Sequence, residues 1–312
     1  MGVTVYDQGR RVLGSLAVGR LSVAGLGIFG AVAPSGKVWY VDVTNGKNTH
    51  SGRAADKAFL TFQKALDKAA SNDAIGVWPG EVTDNDLIVA AGQKKLTIFG
   101  LGGRGAVFFK PAGTNKDALT NHADDLTLVN IGLEGKGTGG GLTNTGARLR
   151  AYGCKLEGED TSVDLTLGSV LQIAAASRGD GSAALFEDCE IAWSTTGVRL
   201  TGTDQGAVTQ PRFRRCLFHN LSAASFEEST GASGEASIRF RDLEVSDCVF
   251  MGLEAGTMPT AFMLLNDNNS NTGIVTRSSF PTALTGGLNL VSTNIDWVCN
   301  YHTGGISTGQ PS

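Results

Sequence analysis

Proline is scarce in this chain, with 7 residues in 312, and so are histidine at 4 and charged residues at 18%. Glycine without proline and without a three-residue period excludes a collagen-like chain, and 41% apolar residues exclude a disordered one. No apolar run is long enough to span a bilayer convincingly: the uncharged stretch 21–36 has only 16 residues and contains several glycines. The formal charge of -4 and pI of about 5.6 give no support for nucleic-acid binding. Neither a membrane nor a nucleic acid is therefore expected as a partner.

Five cysteines are present, but none forms a Cys-x-x-Cys pair and none lies near a histidine at ligand spacing. Small buried thiols explain them better than disulfides or a metal. His50, His122, His219 and His302 are scattered, and no sequence neighbour marks any of them as a base or ligand.

What the chain does have is glycine, 43 residues or about 14%, roughly twice the usual share, which implies many tight turns. It also has a repeat: an apolar residue, two mostly polar or small residues, Cys, any residue, and a second apolar residue. Phe186 to Ile191, Phe213 to Phe218 and Val245 to Phe250 are the clearest copies. Ala151 to Leu156 fits with a smaller first residue, Val275 to Phe280 has Ser278 at the cysteine position, and Leu128 to Leu133 has Ile131 there. The marked residues run Leu101, Ile131, Cys154, Cys189, Cys216, Cys248, Ser278 and Cys299, although the last copy has Asp296 where an apolar residue is expected.

Alternation around the marked residue describes a short strand with one face inward, so that Cys216 and Phe218 point in while Leu217 points out. Spacings of 21 to 35 residues are too long for a hairpin meander, and no amphipathic helix fills them. A coil of about three short strands per turn remains, with variable loops at its corners. Eight rungs about 4.8 Å apart give a stack on the order of 35 to 40 Å.

Phe59, Phe62, Leu66 and Ala69 share one helical face, with Thr61 near its start, and are expected to plug the first rung. A strand over Ile75 to Trp78 and a turn at Pro79-Gly80 follow.

Trp39-Tyr40-Val41-Asp42, the turn through Gly46, Asn48 and Gly52, the segment Ala58 to Leu66 and Pro79-Gly80 resemble the opening of right-handed β-helix proteins of the pectate-lyase-like superfamily. The resemblance implies an all-β, single-stranded right-handed parallel β-helix over residues 39–301. An N-terminal arm, 1–38, precedes it, and a tail, 302–312, follows. It implies no activity, because this fold hosts lyases, hydrolases, epimerases, adhesins and phage spikes.

Other motifs read as structure. Gly100 to Gly105 matches a dinucleotide-binding pattern, but a strand follows in place of a helix, so a rung corner is favoured. Asp124 and Asp125 read as corner residues, and 137–141 as a glycine-rich excursion. Residues 266–269 form a polar loop without the acidic spacing of a calcium site. Arg212, Arg214, Arg215, Arg239 and Arg241, with Glu187, Asp188 and Glu190, read as a solvated face or a subunit contact. No catalytic, cofactor-binding or metal-ligating residue is assigned, and no cofactor is expected.

The arm carries Arg10, Arg11, Arg20 and Lys37 against Asp7, a basic segment before an acidic body. Arg20 interrupts what would otherwise resemble a secretory signal. The arm is expected to pack against a partner in a larger assembly, with capping of its own solenoid as the alternative.

A Gly- and Ala-rich arm before a short β-helix resembles bacteriophage decoration and spike proteins. That resemblance implies a structural protein on the virion surface of a tailed phage, homotrimeric, joined to capsid or tail through residues 1–38, and more a scaffold than an enzyme. The alternatives are a tailspike-type polysaccharide depolymerase, lyase or hydrolase, or a glycan-binding adhesin. Either enzyme would need clustered carboxylates beside an aromatic-lined groove on the outside of the strands; Trp193 fits an aromatic rim or a subunit face equally well.

Overall fold

The computed structural model describes residues 5–7, 10–12, 36–158, 168–174, 183–201, 207–228, 239–252, 261–264, 271–280, 294–302 and 305–307. Most of the 1–38 arm and the 266–269 loop lie outside them. The body is a right-handed parallel β-helix. Three ladders of parallel strands run along it, each strand pairing with its equivalent one turn earlier and one turn later.

The first ladder is a ten-stranded sheet from Val38–Val41 to Ile295–Val298. Its pairing aligns Trp39, Ile75, Ile98, Leu128, Ala151, Phe186, Phe213, Val245, Val275 and Trp297 in one inward column. All ten are buried. The second ladder begins with Gly80–Val82 and Val107–Phe109, and the third with Ile88–Val89 and Leu119–Asn121. The two fuse where Glu190–Thr201 and Leu217–Glu228 run as single 12-residue strands. The fusion is bent, since Trp193 and Asn220 stand side by side with φ of 58° and 53°.

From Thr127–Val129 onward, each first-ladder strand turns into the second ladder through a single left-handed residue. In successive rungs it is Asn130, Gly153, Asp188, Arg215, Asp247, Arg277 and Cys299, with φ between 49° and 59°. The marked residue comes next and points inward. The true column is Val107, Ile131, Cys154, Cys189, Cys216, Cys248, Ser278 and Asn300, because Phe108, Gly132, Lys155, Glu190, Leu217, Val249, Ser279 and Tyr301 are paired one position later.

Two expectations are thereby corrected. Leu101 is not in the column: it opens the glycine-rich 101–106 loop, and its side chain joins an outer cluster with Phe99, Val129 and Tyr152. Cys299 occupies the left-handed corner and is exposed, while Trp297 is the inward apolar residue of that rung and Asp296 points out.

The column keeps its polar groups satisfied. The thiols of Cys189, Cys216 and Cys248 each donate to carbonyls of their own and the preceding rung, at 3.4 to 3.5 Å. Burial pushes the Cys154 and Cys189 thiols far above their ordinary pKa, so they behave as small inert hydrophobes. Asn300 continues the column by accepting from the Ser278 amide and donating to the Val275 carbonyl. At another corner, buried Asn121 donates to Asn144 at 2.6 Å.

The helix, α1 (Phe62–Lys68), is capped by Thr61, whose hydroxyl accepts from the Lys64 amide, and buries Phe62, Ala65 and Leu66 over the first rungs. Phe59 lies just before it, stacked on Trp39. Towards the C-terminus the core becomes aromatic, with Phe186 on Phe213 at 5.0 Å and Phe250 on Phe280 at 4.9 Å, close to the rung spacing.

Phe213→Ala removes a fully buried ring and should cost about 3 to 5 kcal/mol, whereas Leu217→Ala, outward and half-buried, should cost about 1 kcal/mol or less. Chemical denaturation of both variants checks this; a reversed order would refute the register.

Candidate functional site

The outer face of the second ladder gathers the chemistry. Inward positions there are Val82, Phe109, Leu133, Leu156, Ile191 and Phe218, so their neighbours on each side face out. One outward row reads Glu81, Phe108, Gly132, Lys155, Glu190, Leu217 and Val249. The adjoining row contains Glu134, Glu157, Ala192 and His219.

Glycine is required at 132 because a Cβ there would lie 2.6 Å from the Phe108 ring, which folds over it. The same ring has Lys155 Nζ 5.7 Å from its centroid. Lys155 in turn reaches Glu157 at 2.5 Å and Glu190 at 3.8 Å. Lys110 pairs with Glu134 at 2.7 Å, and His219 Nε2 lies 3.1 Å from Glu190. His219 Nδ1 contacts the Asn220 amide at 3.0 Å, and Trp193 meets its ring edge-on at 6.3 Å between centroids. The 101–106 loop flanks this face, with the Arg104 guanidinium donating to the Asp188 carbonyl.

Glu134 and Glu157 are each only 8% exposed, although both point outward. Burial raises the Glu157 pKa above its ordinary value; Lys155 pulls it down but does not prevail, and the charges of Glu134 and Glu190 push it further up. Glu190 goes the other way, lowered first by its hydrogen bond with His219 against the opposing effect of burial. Burial disfavours charge on Lys155, but Glu157, Glu190 and Glu134 outweigh it and hold the ammonium above its usual pKa. Two carboxyl groups on one face are thus driven apart in acidity, the condition for one to hold a proton while the other accepts one.

The sequence offered no sign of this cluster. Glu134, Lys155, Glu157 and His219 sit in three different rungs, 85 residues apart end to end, in no motif. The one available clue was their position immediately beside the inward Leu133, Leu156 and Phe218 of the repeat. His219, read from sequence as unpartnered, does have an acidic partner.

The charges singled out from sequence fall elsewhere. Arg214 forms a two-pronged pair with Glu244, and Arg212 approaches the same carboxylate at 3.6 Å. Arg215 bonds Asp188 and Glu187, and Arg277 bonds Asp247, along the left-handed corner. Arg239 and Arg241 belong to a separate two-stranded pairing with Ala207–Thr209. Only Glu190 from that group belongs to the cluster. Asp124 and Asp125 are corner residues, paired with Lys94 and Arg148. Among the described residues, no three His, Cys, Asp or Glu side chains converge to hold a metal ion.

No family model and no curated protein sequence matches the chain. Solved structures do. Pectin methylesterase from Aspergillus niger superposes with a TM-score of 0.59 at 14% identity, over 90% of this chain and 89% of that one. Pectin methylesterase PemA from Erwinia chrysanthemi gives 0.54 at 12%, over 88% and 91%. Alginate lyase from a Paenibacillus strain gives 0.53 at 10%, over 86% and 96%. The class is therefore the right-handed parallel β-helix of the pectate-lyase-like fold. At these identities the likeness concerns the fold, which this chain shares with carbohydrate-active enzymes over most of its length.

Between about pH 3 and pH 7, Glu157→Gln should gain stability relative to the parent protein as pH rises, and Glu190→Gln should lose it. A group raised in the folded state binds more protons folded than unfolded, so its contribution falls with rising pH; a lowered group does the reverse. Denaturation midpoints of the three proteins across that range check the opposite slopes.

Proposed function

We propose that the chain is a virion-surface appendage of a tailed bacteriophage that engages glycan along the outer face of its second ladder. The observation that carries the glycan part is the cluster Glu134, Lys155, Glu157, Glu190 and His219, flanked by Phe108 and Trp193. Carboxylates and an ammonium supply acceptors and donors for sugar hydroxyls, and aromatic faces supply the apolar platform for a sugar ring. The fold's neighbours bear carbohydrate names, and one is a pectin methylesterase in complex with a hexasaccharide.

The appendage part rests on organisation: a basic, Gly- and Ala-rich arm over 1–38, then a solenoid whose outer charges are paired rung to rung. Such a body is a stiff spacer that presents a face at a fixed distance from its anchor. The subunits are read as a homotrimer, with the exposed apolar residues Val249, Met251 and Tyr301 of the last rungs contributing to the contact. The arm joins capsid or tail proteins.

Two measurements test this. The native mass of the full chain should be that of a trimer, and Val249→Glu should reduce it to a monomer; a monomeric parent overturns the trimer. On an array of bacterial surface glycans the full chain should retain at least one glycan, and Trp193→Ala or Lys155→Ala should weaken that binding at least tenfold. An array that stays blank, or binding indifferent to both substitutions, overturns the glycan reading.

A further inference from the structure

Part of the outer face of the first ladder is closed while the rest is open. In Ala74–Val77, Thr97–Gly100 and Thr127–Val129 the inward residues are Ile75, Ile98 and Leu128, so Ala74, Thr97, Phe99, Thr127 and Val129 point out. Phe99 is nevertheless only 8% exposed, and the other four are exposed by 4% or less. Further along the same two rows Arg150 and Arg212 are exposed, and so are Ile274 at 37% and Val298 at 40%. Ladder neighbours shield the flanks of an outward side chain but not its top, so burial to this depth requires a cover.

The covered residues form an apolar cluster separate from the core: Ala74, Phe99 and Val129, with half-buried Val38, Leu101 and Tyr152. The Phe99 ring folds over Gly76, where a Cβ would come within 2.7 Å of it. The 101–106 loop borders this strip on the second-ladder side through Leu101. Among the described residues, the three strands otherwise meet their ladder neighbours and α1, and α1 packs on the inner side with Ile75 and Ile98. The cover therefore comes from outside the described residues.

We propose that residues 21–35 are that cover, a strap laid on the first ladder with its apolar side chains against Phe99 and Val129. Three observations select this segment. The chain enters the solenoid at the edge of the strip: the Gly36 amide donates to the Asn72 carbonyl at 2.9 Å and the Lys37 amide to Asp73 at 2.7 Å, just before Ala74. The reach suffices, since the seven residues from Phe29 to Gly36 span at most about 23 to 25 Å, while the three rungs of the strip occupy about 10 Å. The chemistry matches, because residues 21–36 carry no charge and hold Leu21, Val23, Leu26, Ile28, Phe29 and Val32. The other candidate, 175–182, leads into the first ladder two rungs beyond Val129 and consists of small and polar residues, with Arg178 and Asp180.

The strap goes beyond the anchoring role given to residues 1–38, because it leaves only the first part of the arm for a partner. That part is the hairpin of Val5–Asp7 and Arg10–Val12, in which Arg10 faces Asp7 and Arg11 faces Tyr6. Residues 13–20 then form a tether of at most about 26 to 29 Å. Capsid or tail proteins meet a basic hairpin rather than an apolar arm, and the solenoid is held by its side.

Hydrogen exchange of the full chain, followed by mass spectrometry without any partner, tests the strap. Amides within 21–35 should exchange at least tenfold more slowly than in a free peptide of that sequence. Val129→Lys, which leaves the inward column untouched, should raise their exchange at least tenfold, whereas Thr276→Lys, five rungs further along the same outer row, should leave it within twofold. A photo-reactive p-benzoylphenylalanine in place of Tyr152, at the rim of the strip, gives a second readout that does not depend on the lysine variants folding. In a mixture of isotopically light and heavy chains it should cross-link to 21–35 of its own chain. Exchange of 21–35 at the free-peptide rate, or protection indifferent to Val129→Lys, overturns the strap. So does a cross-link to 175–182, a cross-link between light and heavy chains, or none within 21–35. Loss of the strap leaves the anchor reading with its full arm, and a hairpin that fails to engage capsid or tail proteins leaves the strap.

Discussion

The in-register parallel ladder is the constraint on which everything else in this molecule depends. Each strand donates and accepts backbone hydrogen bonds with its equivalent one turn away, so every side chain is set about 4.8 Å from its counterpart. Stacking like on like is favourable inside, where rings lie on rings and thiols on thiols. It is unfavourable outside for like charges. The outer rows answer with alternation: Asp188, Arg215, Asp247 and Arg277 follow one another along a single corner, each arginine bonded to the aspartate one rung below it.

The Glu134 and Glu157 pair departs from that alternation. Two carboxyl groups in one outer row, both largely buried, would repel each other without help, and the help comes from Lys110 and Lys155 on neighbouring positions. Partial burial then does what charge pairing alone would not: it keeps one of the two carboxyl groups weakly acidic. The contrast with the Asp188 to Arg277 corner, exposed and fully alternating, separates an outer surface of paired, solvated charges from one whose carboxyl groups are largely buried.

Much of the fold was legible because the repeat is a core signal. Phe186, Phe213 and Val245 each precede a cysteine by three residues, and alternation alone says which neighbours turn inward. The two errors, Leu101 and Cys299, share a cause. The 101–106 loop displaces the inward residue to Val107, and the last rung exchanges cysteine for Asn300 while an unrelated cysteine fills the corner. A pattern keyed to residue type follows the cysteine; the backbone follows the register. The cluster was illegible for a different reason, since its members are outward residues, and outward positions carry no periodic constraint that would single them out.

By itself the sequence determined the β-helix, its inward column apart from the two ends, its capping helix and the free, buried state of four of the five cysteines it read as buried, because each of these follows from local alternation between apolar and polar residues. Only the tertiary structure decided which outward residues meet. Loops of different length lie between successive rungs, so the partner of Glu134 is fixed not by any sequence interval but by the ladder that brings Glu157 beside it, and by the depth of burial that the neighbouring rungs impose on both.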